Sequence, residues 1–362
     1  MTKDKPTAFQ LIHLTQEDEG QTLGAALKKR LNGWSWGQVR EAILKRRVQV
    51  NGNLCLDQAR KLSPKDVIKL WRESLAKPVQ STAVKIVYVD DFLVVVEKPP
   101  GVTSTRHFEE RHLRKKRKQL QPTLEELLPE SLEKHFASRN QEWDVEPPIK
   151  RNVNKKTHRR LTGQDAQRQR ALRLKKFAVI AVHRLDRDTS GLMIFARTPS
   201  ISQLLGKAFR NHEVVRKYHA VVHGHPIAQT FKSVLVRDRG DGKRGTMPAD
   251  RTEDPSAQNA ITHIRPIEAF GEYSMIECVL ETGRTHQIRI HLSEAGHMLC
   301  GDMIYNRSLE GTRIDDLSGA PRQALHSATL EFKHPISGDS LAFKMPWPAD
   351  LHGWLRKLRE LP

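Results

Sequence analysis

Apolar residues recur at helical spacing near the N-terminus of this chain. Within residues 23–31 they stand three and four positions apart, and residues 39–44 repeat the pattern, so two short helices are expected. Residues 48–50 then alternate apolar and polar side chains and lead into Asn51-Gly52, a strong two-residue hairpin signal, with a later strand at 67–70. The pattern predicts a small α/β domain over residues 1–77.

A strand pattern takes over in the second part of the chain. Apolar runs at 84–89 and 92–96 flank Asp90-Asp91, which indicates a hairpin that closes with a turn at 98–101. Alternation returns at 217–222, while 201–212 is typical of a helix. Many short strands with few helices predict an α+β domain over 83–362 with a mostly antiparallel sheet, joined to the first by a linker at 75–82.

A basic segment at 106–176 interrupts this second domain. It holds twenty Lys and Arg against ten Asp and Glu, and it has few strand-like runs. One interpretation is a solvated, partly disordered insertion with a single helix at 124–136. The other is an arm that grips a polyanion, because a dense basic run releases counterions on binding whatever the sequence of its partner.

The net charge of the chain indicates which class of molecule it binds. The net charge of +19 and the pI near 10.0 favour a polyanion, and nucleic acid is the leading candidate over an anionic membrane surface. The sequence has no apolar run of about 18 residues. It also lacks a secretory signal pattern at its start. We therefore expect a cytoplasmic protein with no membrane partner.

Two motifs about a hundred residues apart carry the candidate chemistry. The first is His183-Arg184-Leu185-Asp186 followed by Thr189-Ser190-Gly191, and the second is Gly283-Arg284-Thr285-His286-Gln287-Ile288-Arg289-Ile290-His291. Both lie among strand-forming apolar residues, which places Arg184 and Asp186 on one face of a strand. A carboxylate at a strand end is costly to desolvate without a cation, and Arg284 and Arg289 are the candidate partners of Asp186.

The two motifs resemble the signature of the RluA-type pseudouridine synthases, in which the aspartate of the first motif is the nucleophile. Further matching blocks follow the family's order: Glu97-Lys98-Pro99-Pro100-Gly101-Val102, Lys217-Tyr218-His219-Ala220-Val221-Val222-His223-Gly224, Gly296-His297 with Gly301-Asp302, and Arg322-Gln323-Ala324-Leu325-His326. The resemblance implies a pseudouridine synthase fold, with a central two-lobed sheet and an active-site cleft. It also implies that uridine in structured RNA is isomerised to pseudouridine.

Catalytic roles follow from the resemblance. Asp186 would be the nucleophile and Arg289 its ion-pair partner, although the two could instead form a purely structural buried pair. Tyr218 lies in an alternating run and would stack on the target base and relay the proton of carbon 5. Taken alone, a tyrosine in a strand is more often a core residue.

Substrate-binding roles are expected for four more residues. Arg184 would occupy the place that a flipped-out uridine vacates, or else contact phosphate or form a surface ion pair. Ile288 would pack against the flipped base, or belong to the core. Arg284 and His286 complete the set.

The resemblance requires no metal and no cofactor. His183, His286, His291, His297 and His326 lack the spacing of a zinc motif and are expected to hydrogen-bond backbone and RNA phosphate. The glycines do not form a nucleotide-binding loop, so no nucleotide cofactor is expected, and a monomer is expected.

The N-terminal domain resembles the RNA-binding module named after ribosomal protein S-four. Basic residues at 28–30, at Arg40 and at 45–47 decorate its two helices, and Arg46-Arg47 stands where that module commonly has a glycine. The alternative is a basic helical hairpin that only supports the second domain. Large-subunit ribosomal RNA is the first substrate expected, with transfer RNA as the alternative. A non-catalytic RNA-binding ribosome-assembly protein is the rival function.

Overall fold

A computed structural model describes residues 9–50, 53–64, 66–72, 74, 84–106, 122–138, 172, 174–240, 243–310 and 314–360. The chain divides into two compact units. The first contains described residues from Met1–Pro78 and Ser233–Asn259, and the second contains described residues from Val79–His107, Pro122–Lys232 and Ala260–Pro362. The linker expected at 75–82 falls outside the described residues.

The first unit contains the two helices, the hairpin and the later strand that the sequence pattern predicts, together with an N-terminal strand that was not predicted. Its elements are β1 (Phe9–His13), α1 (Leu23–Arg30), α2 (Trp36–Leu44), β2 (Val48–Val50), β3 (Asn53–Leu54) and β4 (Val67–Trp71). The strands form an antiparallel sheet in the order β1-β4-β2-β3. Side chains of Thr22 and Ser35 cap the first turns of α1 and α2. The predicted hairpin is confirmed by the pairing of β2 with β3, while Asn51-Gly52 lies outside the described residues.

Arg46 occupies the turn that precedes β2. Its backbone has a φ of 63°, in the left-handed region that favours glycine. The chain therefore makes the turn that a glycine would make, with an arginine whose main chain is strained.

The second unit is built on strands that follow one another through most of its length. They are β5 (Lys85–Val89), β6 (Leu93–Lys98), β7 (Ile180–Ala181), β8 (Ser190–Ala196), β9 (Val215–His223), β12 (Gln258–Phe270), β13 (Tyr273–Leu280), β14 (Leu325–Lys333) and β15 (Ser340–Lys344). Between β9 and β12 the chain forms β10 (Gln229–Val236) and β11 (Gly245–Thr246), which pair antiparallel.

The large sheet is mostly antiparallel, as predicted. Its order is β12-β13-β9-β14-β8-β6-β5, with β15 on β14 and β7 on β8. The exception is β8 with β14, which pair in parallel over two residue pairs, His326 with Ser190 and Ser327 with Gly191. This short contact joins the two halves of the sheet. Gly191 allows it, because a Cβ there would lie 2.3 Å from the backbone oxygen of Ser327.

Among the described residues of the second unit, the helices that lie outside its sheet include α3 (Leu124–Ala137), α4 (Pro199–Arg210), α5 (Gln287–Glu294) and α6 (Ala349–Arg359). Helix α4 begins at Pro199, because the side chain of Thr198 caps its first turn and proline is favoured at the first helical position. Ile201 and Leu205 of α4 pack with Leu192 of β8 on one face of the sheet. No helix among the described residues is long and apolar enough to cross a membrane.

Helix α3 confirms the helix expected at 124–136, but it is buried, so the interpretation of 106–176 as one solvated insertion is wrong for these residues. Its Leu124, Leu128 and Leu132 are fully buried in the main core, with Val94 and Phe195. These leucines recur every four residues and form one apolar stripe, which carries the helix into the core. Most of the remaining basic segment lies outside the described residues, and the expected RNA-gripping arm lies there.

Candidate active site

A cavity of about 400 Å³ opens in the second unit and collects both sequence motifs. Three chain segments line it. They are the loop at 182–189, the segment from Phe209 to Tyr218 and the segment from Leu280 to Arg289. All seven residues expected at the site line this cavity: Arg184, Asp186, Tyr218, Arg284, His286, Ile288 and Arg289.

Asp186 lies on a loop and not on a strand, so the expected shared strand face with Arg184 is wrong. Buried side chains hydrogen-bond to the backbone of this loop. Lys98 Nζ donates to the backbone oxygens of Arg187 and Thr189 at 2.9 and 2.8 Å, and Ser104 bonds both backbone groups of Leu185. These contacts replace a strand's ladder bonds and fix the direction of the carboxylate.

Arg289 is the closest cation to the Asp186 carboxylate. Arg289 Nη1 lies 3.2 Å from Asp186 Oδ2, while Nε and Nη2 bind the buried Asp302 carboxylate at 2.7 and 2.9 Å. Burial opposes ionisation of Asp186, but the charges of His286, Arg289 and Arg184 outweigh it and lower the pKa of the carboxyl. Asp186 is therefore ionised at neutral pH, as a nucleophile must be.

His286 is the second group beside Asp186. Its Nε2 lies 3.9 Å from Asp186 Oδ2, and its Nδ1 lies 2.8 Å from the Tyr305 hydroxyl. The backbone of His286 has a φ of 62°, which is strained for a residue with a side chain and occurs at the N-cap of α5. This conformation turns the imidazole toward the carboxylate.

Arg289 and Ile288 lie on helix α5, whereas the sequence suggested a strand-like segment. The alternation of Ile288 and Ile290 misleads because α5 is buried on every side from Gln287 to Ser293, so polar side chains are enclosed as well. Gln287, for example, donates to Thr262 and to the backbone oxygen of Ile261. The helix directs Arg289 between the two carboxylates.

Tyr218 is on strand β9, as predicted, and only 5% exposed. Burial raises the pKa of its phenol, so the hydroxyl keeps its proton at neutral pH. Ile288, also buried, lines the same cavity and belongs to the main core cluster. Ile288 is thus a core residue that also lines the cavity, and its packing against a flipped base stays a prediction.

Arg184 and Arg284 are exposed at the cavity. Arg289 takes the position beside Asp186 for which both Arg284 and Arg289 were candidates. The exposed pair adds positive charge to the cavity.

Three residues that shape the site were not predicted as site residues. Lys98 supports the loop of Asp186, Asp302 holds Arg289, and Arg216 lines the cavity two residues before Tyr218. Lys98 and Asp302 stand inside the matched blocks, but nothing in their spacing shows what they contact. The Arg216–Tyr218 spacing of two along a strand was the available signal for Arg216, because it puts both on one face.

The histidines considered as metal ligands have other partners. His183 accepts a hydrogen bond from the backbone of Ile194, and desolvation together with the charge of Arg216 lowers the pKa of His183 to about 3. Within the described part of the chain, a metal-like grouping of side chains occurs at His223, Cys300 and Asp316. Its Asp316 already accepts hydrogen bonds from the backbone of Gly301 and from His223.

Comparison with known proteins gives related sequences and a shared fold. Residues 148–294 match the family profile described as RNA pseudouridylate synthase. The chain is 42% identical over 171 residues to ribosomal large subunit pseudouridine synthase D of Zymomonas mobilis, covering 47% of this chain and 53% of the relative. For the protein of the same description in Nitrosomonas europaea the identity is 40% over 185 residues, covering 50% and 52%. The chain thus spans about half the length of the curated relatives it matches.

The solved structure of human RNA Pseudouridylate Synthase Domain Containing 4 is similar in fold. The TM-score is 0.51 at 19% identity, over 76% of this chain and 93% of that chain. This likeness, with the mostly antiparallel sheet, shows that the chain has the pseudouridine synthase fold.

Proposed function

We propose that this chain, whose residues 148–294 match the RNA pseudouridylate synthase profile, isomerises specific uridines in structured RNA to pseudouridine. The observation that carries the proposal is the Asp186 carboxylate, paired with Arg289 in a cavity that the buried Tyr218 also lines. A protein that only bound RNA would have no need for an ionised carboxylate in a cavity that exposed arginines also line.

The isomerisation of uridine requires few functional groups from the protein. The bond from ribose C1′ to base N1 breaks, the base turns, a bond from C1′ to C5 forms, C5 loses its proton and N1 gains one. The carboxylate can act on C1′, on carbon 6 or on a ribose proton, and each route requires the ionised form that Arg289 and His286 favour. The reaction consumes no oxidant and no energy-rich cofactor, so we propose that it proceeds without either.

We assign Tyr218 and Ile288 to binding of the uracil base. The phenol ring can stack on uracil, and its protonated hydroxyl can relay the C5 proton. Ile288 supplies apolar wall beside it. Because a stacked uridine cannot reach Asp186, the base must leave its helix, and exposed Arg184 is assigned to the vacated space.

Large-subunit ribosomal RNA is the proposed substrate, with transfer RNA as the alternative. The relatives at about 40% identity carry ribosomal large subunit in their descriptions, and the cytoplasm is the compartment in which we place the reaction. In the proposed domain arrangement, residues 1–77 bind RNA, residues 83–362 carry the catalytic site, and the basic segment 106–176 adds affinity. The protein is proposed to act as a monomer.

The first unit is proposed to bind RNA as an S-four-type module through the exposed side of α2. Trp36 is 58% exposed and Arg40 is exposed one turn later, which offers a ring for stacking and a cation for phosphate. Arg40→Gln should weaken RNA binding without changing stability. Arg72→Gln is the matched control, since Arg72 is also exposed but follows β4 and lies outside the basic residues of the two helices. Equal affinities of the two variants would count against RNA binding by this side of α2.

The experiment for the function is a map of pseudouridine across ribosomal and transfer RNA from cells lacking the gene, complemented with wild type or with Asp186→Asn. We expect discrete ribosomal sites to disappear in the deletion and to return with wild type alone. Loss of transfer RNA sites would instead select the alternative substrate. Unchanged maps, or restoration by Asp186→Asn, would overturn the proposal in favour of a non-catalytic assembly protein.

A further inference from the structure

Arg216 is a buried guanidinium without a carboxylate partner in the described part of the chain. It is 6% exposed, on strand β9. Its Nη2 donates to the backbone oxygens of Leu280 and Glu281 at 3.3 and 3.1 Å, and its Cζ lies 5.3 Å from the ring centroid of Phe209. Its buried Nε has no hydrogen-bond partner among the described residues. Two neutral carbonyls and a ring thus hold a full positive charge.

The same guanidinium faces the catalytic cavity. Arg216 lines the cavity with Asp186 and Tyr218, and Tyr218 shares its strand face. Gly283 leaves room for it, because a Cβ on Gly283 would lie 2.8 Å from Arg216 Nη1. The absence of a side chain at Gly283 thus leaves the space in the cavity wall that the guanidinium occupies.

A buried charge is normally paired, because desolvation of an unpaired ion costs far more than two neutral hydrogen bonds return. Arg216 lies where a ligand can reach it, so the missing partner can come with the substrate. We propose that Arg216 forms an anion subsite that takes a negatively charged oxygen of the target nucleotide. This inference rests on the proposed function and names the contact by which the site holds its substrate.

Two oxygens of the nucleotide have this chemistry. One is a phosphodiester oxygen next to the target uridine. The other is a carbonyl oxygen of uracil, because the electron pair of the broken C1′–N1 bond passes to the base and is shared with its carbonyls. That charge is used when C5 attacks C1′. A phosphodiester is bound before the reaction and afterwards, whereas the uracil anion exists only during it.

This difference separates the two sources by measurement. Full-length wild type and Arg216→Gln are compared on an RNA fragment carrying the target uridine, by dissociation constant at several salt concentrations and by single-turnover rate at saturation. For a phosphodiester we expect about tenfold to hundredfold weaker binding. The salt slope should then fall by about 0.7 to 0.9, with an unchanged rate. For the uracil anion we expect unchanged binding and a rate lower by about 100- to 1,000-fold.

Two further variants keep the test sharp. Gly283→Ala keeps the arginine but displaces its guanidinium, so it should show the same kind of defect even if Arg216→Gln does not fold. Lys344→Gln removes one exposed charge outside the cavity and should match wild type in rate. Urea midpoints are measured for all of them.

The inference is overturned if Arg216→Gln and Gly283→Ala lower the urea midpoint but keep the affinity, salt slope and rate of wild type. Arg216 would then only brace the carbonyls of Leu280 and Glu281. If wild type makes no pseudouridine, the proposed function itself is refuted. The salt dependence of RNA binding by wild type, compared with that of Arg216→Gln, would still decide whether Arg216 binds a phosphodiester.

Discussion

The two carboxylates that share Arg289 should respond very differently to the loss of their charge. Asp302 has a side chain 1% exposed, and it accepts hydrogen bonds from Arg289 Nε and Nη2 and from the backbone of Ile304 and Tyr305. The side chain of Asp186 is 14% exposed and has a single contact with Arg289 at 3.2 Å. We compare Asp302→Asn with Asp186→Asn, which change the same few atoms.

The expected losses in the free energy of unfolding follow from these contacts. In Asp302→Asn an amide hydrogen must face the guanidinium, so a buried ion pair is broken and the free energy of unfolding should fall by about 3 to 5 kcal/mol. In Asp186→Asn the guanidinium keeps Asp302, and about 1 kcal/mol should be lost. The pKa of both carboxyls is lowered in the folded protein, so both ionised forms favour folding and neither substitution should stabilise it.

Urea unfolding at pH 7 measures the two free energies, and pseudouridine formation measures activity. We expect Asp186→Asn to be nearly as stable as wild type and inactive, and Asp302→Asn to be much less stable. A cost for Asp186→Asn as large as that for Asp302→Asn would show that Asp186 and Arg289 form a structural ion pair. The assignment of Asp186 to catalysis would then lose its physical basis.

Three further predictions concern other parts of the second unit. Tyr218→Phe should keep stacking and RNA affinity but slow turnover by about 100- to 10,000-fold, since only the proton relay is lost; a wild-type rate would exclude that relay. Burial lowers the pKa of His326 to about 4, so the unfolded chain binds its proton first and stability should fall between about pH 6.5 and 4 by on the order of 2–3 kcal/mol. Urea unfolding of His326→Gln should have a shallower pH slope than that of the exposed control His352→Gln, and equal slopes would contradict this origin. Gly191→Ala should fail to fold, because its Cβ would lie 2.3 Å from the backbone oxygen of Ser327; a stable, soluble variant would refute the close approach of β8 and β14.

Local sequence signals led to correct predictions where neighbouring residues alone determine the structure. The hairpin at Asp90 is an example, because Asp90 Oδ1 accepts hydrogen bonds from the backbone of Phe92 and Leu93 and so makes the turn. The helices of the first unit are another, since each is amphipathic and capped by its own neighbouring residue.

The errors arise where distant residues decide the local structure. The loop of Asp186 is flanked in sequence by strand-forming apolar residues, but its backbone bonds go to Lys98 and Ser104, which are more than 80 positions away. Helix α5 is enclosed on all sides, which removes the periodicity that would have identified it. Asp302 lies in a matched block, but the sequence did not indicate that its carboxylate binds Arg289, because that contact exists only after folding.

Release of the C5 proton is the most direct test of the account. RNA that contains uridine tritiated at carbon 5 is incubated with purified wild type and with Asp186→Asn, and RNA affinity is measured for both. The account predicts that wild type releases tritium to water in proportion to pseudouridine formed, while Asp186→Asn binds the RNA equally well and releases none. Release by Asp186→Asn at the wild-type rate would contradict it.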